Sequence, residues 1–228
     1  MGGREGGTAG CVAALLAATG CLDIGEPVPG PARVAWAAYP DTVVVGELFS
    51  FEFAGPVSRN SCGRLDTARV VVGDSVVRLS AERSLFPEAM CSDDRISFYE
   101  VRPMSFDRPG TYRVVTEDGR PLDSLVAVDT GTFSAMGTRG WGTLHAGGGC
   151  LFFGPGWTEN QRPFALRGAP EELRRVAGTD RLVRVEGTLA GFALCGGFGS
   201  RPAIRVRTAR VTDSTAASWY PDGPGGDG

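Results

Sequence analysis

The sequence predicts an all-β chain, and three observations carry that prediction. Leu48-Phe49-Ser50-Phe51-Glu52-Phe53 alternates with period two, putting Phe49, Phe51 and Phe53 on one face and Ser50 and Glu52 on the other. Gly (34) and Pro (15) make up about a fifth of the 228 residues, a turn density foreign to helical bundles and without the strict period of collagen. A single stretch, residues 169–177, reads as a short helix. Pro170, Glu171 and Glu172 suit its first turn, Arg174 and Arg175 its last, and Gly178 its stop.

The elements of the first half follow from local signals. Val70-Val71-Val72, Gly73-Asp74 and Ser75-Val76-Val77 read as a hairpin closed by a two-residue Gly-first turn. Further strands fit Ile96–Val101, Arg108–Val115 and Leu122–Val128, the last two separated by the Glu117-Asp118-Gly119 turn. Seven or so short strands with turn signals roughly every ten residues make a β-sandwich over 33–129. The segment Pro109-Gly110-Thr111-Tyr112-Arg113-Val114 resembles the penultimate strand of bacterial immunoglobulin-like domains. The resemblance implies an immunoglobulin-like sandwich in which Tyr112 makes a corner contact. Positions where such domains place an inter-sheet disulfide hold Phe51 and Val114 here, so Cys62 and Cys91, near turns, are expected to pin loops. The phenylalanine stripe reads as core packing.

In the second half, strands fit Arg139–His145, Cys150–Phe153, Arg162–Leu166, Leu182–Leu189 and Ala203–Val211, with the helix between the third and fourth. Val183 and Val185 oppose Arg184 and Glu186, while Ile204 and Val206 oppose Arg205 and Arg207. Three strands, a helix and two strands is the order of the oligonucleotide/oligosaccharide-binding (OB) barrel. The run Gly-Thr-Leu-x-x-Gly-Gly-Gly-Cys-Leu from Gly142, followed by Arg-Leu-Val-Arg-Val-Glu-Gly-Thr-Leu from Arg181, is similar to small OB-like domains of bacterial envelope proteins. That resemblance implies an OB-like five-stranded barrel over 130–212, in which Cys150 and Cys195 tie the second strand to the segment before the last.

The N-terminus reads as an export signal. Residues 11–20 are uncharged and apolar, too few to span a bilayer and the right length for the core of a secretory signal. Leu16-Ala17-Ala18-Thr19-Gly20-Cys21 resembles the bacterial lipobox, which implies a signal peptide over 1–20 and a mature chain acylated at Cys21. An ordinary signal peptide with an incidental cysteine is the alternative, because Ala18 stands where Leu is preferred. Residues 21–32 then form a Pro/Gly tether to the membrane, and 213–228 a disordered tail. Four cysteines remain, two on each side of residue 130, and of their three possible pairings this split favours Cys62–Cys91 and Cys150–Cys195. Such bridges belong to an oxidising compartment.

Charge divides the chain at the same place. Residues 22–129 carry 11 Arg against 17 acids, net −6, and residues 130–211 carry 11 Arg against 5 acids, net +6. All 23 basic residues are Arg and His145 is the sole histidine, which excludes lysine Schiff-base chemistry and multi-histidine metal sites. No cofactor, no metal and no catalytic residue are expected. A His145–Cys150 dyad is disfavoured because Cys150 has a better use in a bridge, and Gly196-Gly197-Phe198-Gly199 lacks the Lys of a phosphate loop. An Arg-rich barrel face, drawn from Arg139, Trp141, Arg162, Arg184, Arg205 and Arg207, is the candidate binding surface for an anionic envelope polymer, headgroup or protein partner. Export disfavours nucleic acid. The expected function is a non-enzymatic, lipid-anchored binding or scaffold module of the cell envelope, with an accessory subunit of a glycan-processing or hydrolytic complex, or a structural spacer, as alternatives.

Overall fold

The computed structural model describes residues 26–86, 90–154 and 163–216. The described residues form an all-β fold of fourteen strands in two sheets, with one 3-10 helix. The first sheet holds β1 (Val28–Ala32), β3 (Thr42–Val44), β5 (Gly63–Val72), β6 (Val76–Leu85), β8 (Gly110–Thr116) and β9 (Pro121–Val128). The second holds β2 (Trp36–Pro40), β4 (Phe49–Ser58), β7 (Ile96–Met104), β10 (Met136–Gly147), β11 (Cys150–Gly154), β12 (Phe164–Arg167), β13 (Arg181–Cys195) and β14 (Gly199–Thr215).

The two sheets face each other across a core built by period-two alternation. Phe51 and Phe53 of β4, Tyr39 of β2 and Phe98 of β7 meet Leu79, Val114 and Leu125 of the opposite sheet. Tyr39 stacks on Phe51 at 4.6 Å between ring centroids, within the range that aromatic pairs prefer. Tyr112 packs beneath Phe106 and donates its hydroxyl to the Arg108 carbonyl at 3.0 Å, fixing the corner that leads into β8. Strands β3 and β6 run parallel to β9 and β8 respectively, whereas β4 pairs antiparallel with β2 and β7.

Strands β10 to β14 close on themselves. β10 pairs with β11, β11 with β12, β12 in parallel with β14, β14 with β13, and β13 back with β10. The interior is filled by Leu144, Leu151, Phe153, Phe164, Val183, Val185 and Ile204. The 3-10 helix Glu171–Val176 inserts Leu173 into this core between β12 and β13. The polar and apolar signals that predicted a helix here are satisfied by the tighter 3-10 form, which suits so short a segment.

Several boundaries differ from those the sequence suggests. The charge division at residue 130 does not interrupt the sheet: β10 pairs with β2 from Met136↔Pro40 to Gly140↔Trp36, so sandwich and barrel share one eight-stranded sheet. Gly140 sits at φ +151, and a Cβ there would drive into the backbone of Ala35 and Trp36, so this seam requires glycine. Trp36, Ala38 and Ala54 belong by sequence to the sandwich but pack into the barrel core, with Trp36 4.9 Å from Phe164. The last five residues of the expected tether form β1, paired with β6. β14 extends through Thr215, and Ala216 is buried, so the ordered chain reaches past 212. The β5–β6 hairpin turns one residue later than expected: the Gly73 amide donates to the Val76 carbonyl at 2.8 Å and closes an Asp74-Ser75 loop.

Candidate binding surface

The cysteines pair as the division at residue 130 suggests. Cys62–Cys91 spans 29 residues of the sandwich and Cys150–Cys195 spans 45 residues of the barrel, with Cα atoms 5.4 and 5.6 Å apart. Cys150 is therefore no thiolate for His145 to activate. Burial, and then the Arg95 charge, hold the His145 pKa below its ordinary value against the opposing pull of Asp180. Among the described residues no group of three or more His, Cys, Asp or Glu side chains is placed to hold a metal ion.

Five of the six residues of the expected basic face lie among the described residues, and the structure places them in different settings. Arg139 is 2% exposed, because β10 aims it inward at the seam between the two lobes. There it pairs with Asp41 and donates Nε to Asp123 at 2.7 Å, and its guanidinium lies 4.4 Å from the centre of the Tyr39 ring. Burial works against the Arg139 charge, and Tyr39 with the two carboxylates more than restores it, so its pKa is raised. Burial alone would raise the Asp123 carboxyl, but hydrogen bonds from Arg139 and the Ser124 amide, with the charges of Arg139 and Arg207, hold it below its ordinary value. Arg139 is thus a structural cation, committed to the seam.

Trp141 is half-buried with the Arg184 guanidinium 5.0 Å from its ring centre. Arg184 also donates to the Leu122 carbonyl at 3.3 Å and pairs with Glu186 at 3.0 Å. Glu186 further accepts from Thr208 at 3.1 Å and lies 3.8 Å from Arg207, so one acid holds two of the expected arginines. Arg205 is exposed and has no ion pair among the described residues. Arg162 lies outside the described residues.

What the sequence left unread is the far end of the β13–β14 hairpin. The register shifts between Leu189 and Phe192, and beyond that irregularity the hairpin folds back across the outer face of β11 and β12. Ala193 and Cys195 pack on Phe152, Ala165 and Ala203, Phe198 lies 5.2 Å from Phe152, and the bridge to Cys150 holds the end in place. The Gly196 amide donates to the Gly148 carbonyl at 3.0 Å, an approach so close that a Cβ on Gly148 would strike the Gly196 carbonyl. Arg167 reaches over from β12 and donates to the Phe192 carbonyl at 2.6 Å.

This packing turns Phe192 and Leu194 outward. They are 68% and 88% exposed, and Phe198 is 45% exposed. Arg167 and Arg205 stand in register on neighbouring strands, and Arg201 lies opposite Ala193 in the hairpin. From Gly187 to Thr212 the chain has four arginines and no acid. That acid-free stretch, and the alternation of Phe192 and Leu194 with Ala193 and Cys195, are the signals from which this surface could have been read. The chain matches no protein-family model, no curated protein and no solved structure.

Proposed function

We propose that this chain is an exported, lipid-anchored protein of a bacterial envelope, in which an immunoglobulin-like sandwich and an OB-like barrel form one rigid binding or scaffold module. The observation that carries the reading is the use of its sulfur. Two disulfides consume all four cysteines that follow Cys21, one bridge within each lobe, as expected in an oxidising compartment. Residues 1–20 then supply the export signal, and Cys21, at the end of the lipobox-like run from Leu16, the acylated residue.

The circular strand order of the barrel, with its parallel third and fifth strands, and the Tyr112 corner support the two domain resemblances. The same geometry argues against the usual work of an OB barrel. Such barrels take oligonucleotides or oligosaccharides on the outer face of their second and third strands, and here the β13–β14 hairpin covers that face. A module that displays its surface to a partner fits better than one that threads a polymer. Intact-mass analysis of the native protein from its own membranes tests the reading. The expected species begins at Cys21, carries acyl chains and contains no free thiol. A chain that begins at Met1, lacks fatty acid and reacts at four thiols while folded would overturn it.

A further inference from the structure

We propose that the end of the β13–β14 hairpin is a membrane-contact element, with Phe192 and Leu194 entering the headgroup and upper acyl region of an anionic bilayer while Arg167 and Arg205 engage the headgroups. The inference rests on the lipid-anchored reading for its biological setting but not for its test. Two large apolar side chains, Phe192 at 68% and Leu194 at 88% exposure, stand two residues apart on the outward face of a hairpin end that a disulfide and a Gly-Gly contact hold in shape. An exposed apolar pair on a stretch that carries arginines and no acid suits an interaction site.

Charge selects the occupant. No acid occurs from Gly187 to Thr212; Arg205 is exposed without an ion pair among the described residues, and Arg167, which gives one donor to the Phe192 carbonyl, keeps its others for phosphate esters. Arginine suits this position because its stem can lie along acyl chains while the guanidinium stays with the headgroups. A fluid bilayer can also close around a hairpin end, burying side chains that point outward on a narrow strand pair.

The test uses the oxidised mature chain from residue 22 onward, which keeps every described residue and lacks the acyl group. Its binding is measured by co-sedimentation with phosphatidylcholine vesicles, with or without one-third phosphatidylglycerol. The expected result is salt-sensitive binding to the anionic vesicles only. Phe192→Ser/Leu194→Ser should weaken it about a hundredfold, since each side chain contributes about a factor of ten when half buried, and Arg205→Gln about fivefold. Both sites are exposed, and an unchanged thermal midpoint with two intact bridges verifies the fold of each variant. Phe192→Trp should show a blue shift on adding anionic vesicles. Absence of vesicle binding, equal binding to neutral vesicles, binding unaffected by the double serine variant, or self-association through Phe192 and Leu194 in place of vesicle binding would each overturn the proposal. A mature chain found without acyl groups would sink the lipoprotein reading and leave this result standing.

Discussion

Arg139→Ala removes the cation that joins the two lobes, and its cost can be worked from the contacts. Two charge-assisted hydrogen bonds are lost, to Asp41 and Asp123, each worth about 1.5–3 kcal/mol in the general case. The carboxylates are 45% and 41% exposed and regain water in the variant, so the lower end applies to both. Loss of the cation–π contact with Tyr39 adds about 1 kcal/mol, and the buried stem leaves a void. The expected destabilisation is about 4 kcal/mol, a fall of about 2 M in urea midpoint at a slope near 2 kcal/mol/M. Asp41→Asn and Asp123→Asn should each cost about 1–1.5 kcal/mol. Together they should cost more than the sum of the two, because they strand a guanidinium that is 2% exposed. Adding Arg139→Met to that pair should recover much of the loss, since an apolar side chain then fills the same space. Urea unfolding of the oxidised chain, followed by tryptophan fluorescence and far-UV circular dichroism, provides the measurement. An Arg139→Ala cost below about 1 kcal/mol, or strict additivity of the two asparagine variants, would refute the assignment of Arg139 to a buried, doubly paired seam.

Trp36→Ala should destabilise the whole protein by about 3–5 kcal/mol in a single urea transition, because Trp36 is fully buried in the barrel core while its strand belongs to the sandwich; two separated transitions would count against the shared sheet. Replacing Cys150 and Cys195 together by Ser should lower stability by about 3–4 kcal/mol in the chain-entropy account and speed amide exchange first in residues 191–202, which mass spectrometry can read. At His145 the folded pKa lies below the ordinary 6.5, so the unfolded chain takes up the proton first as pH falls. The stabilisation is complete above about pH 6.5 and is lost as pH drops through the folded value, and His145→Gln should flatten that slope in pH-dependent thermal melts. Asp123 behaves in the same sense in the acid range, because its folded pKa is depressed: its contribution is present above the ordinary carboxylate pKa and disappears on acidification below it, a loss that Asp123→Asn should abolish.

Alternation made much of this fold legible. Phe49, Phe51 and Phe53 face the core as their spacing implies, and Val183 and Val185 face the barrel interior opposite Arg184 and Glu186. The seam was harder to see because β2 is buried on both faces. Trp36-Ala37-Ala38-Tyr39-Pro40 therefore shows no alternation, and a continuous apolar run is the only mark such a strand leaves. Charge misled for a related reason. Arg139 counts toward the basic half by composition, yet it is consumed by Asp41 and Asp123 of the acidic half. Part of the imbalance at residue 130 is thus complementarity across an internal contact, not a field presented to solvent. The hairpin end is harder to read because the irregularity after Leu189 shifts the phase of the alternation on which strand reading depends. Its exposed Phe192 and Leu194 then look like ordinary core residues until their neighbours are known.

The pairing of β2 with β10 also has a mechanical consequence. Two lobes joined by a flexible link would leave slack, whereas hydrogen-bonded strands running through the junction behave as one beam. A push or twist delivered at the cysteine-pinned end of the barrel must reach the opposite lobe with little lost on the way. Whatever grips one side of this molecule therefore fixes the orientation of the other.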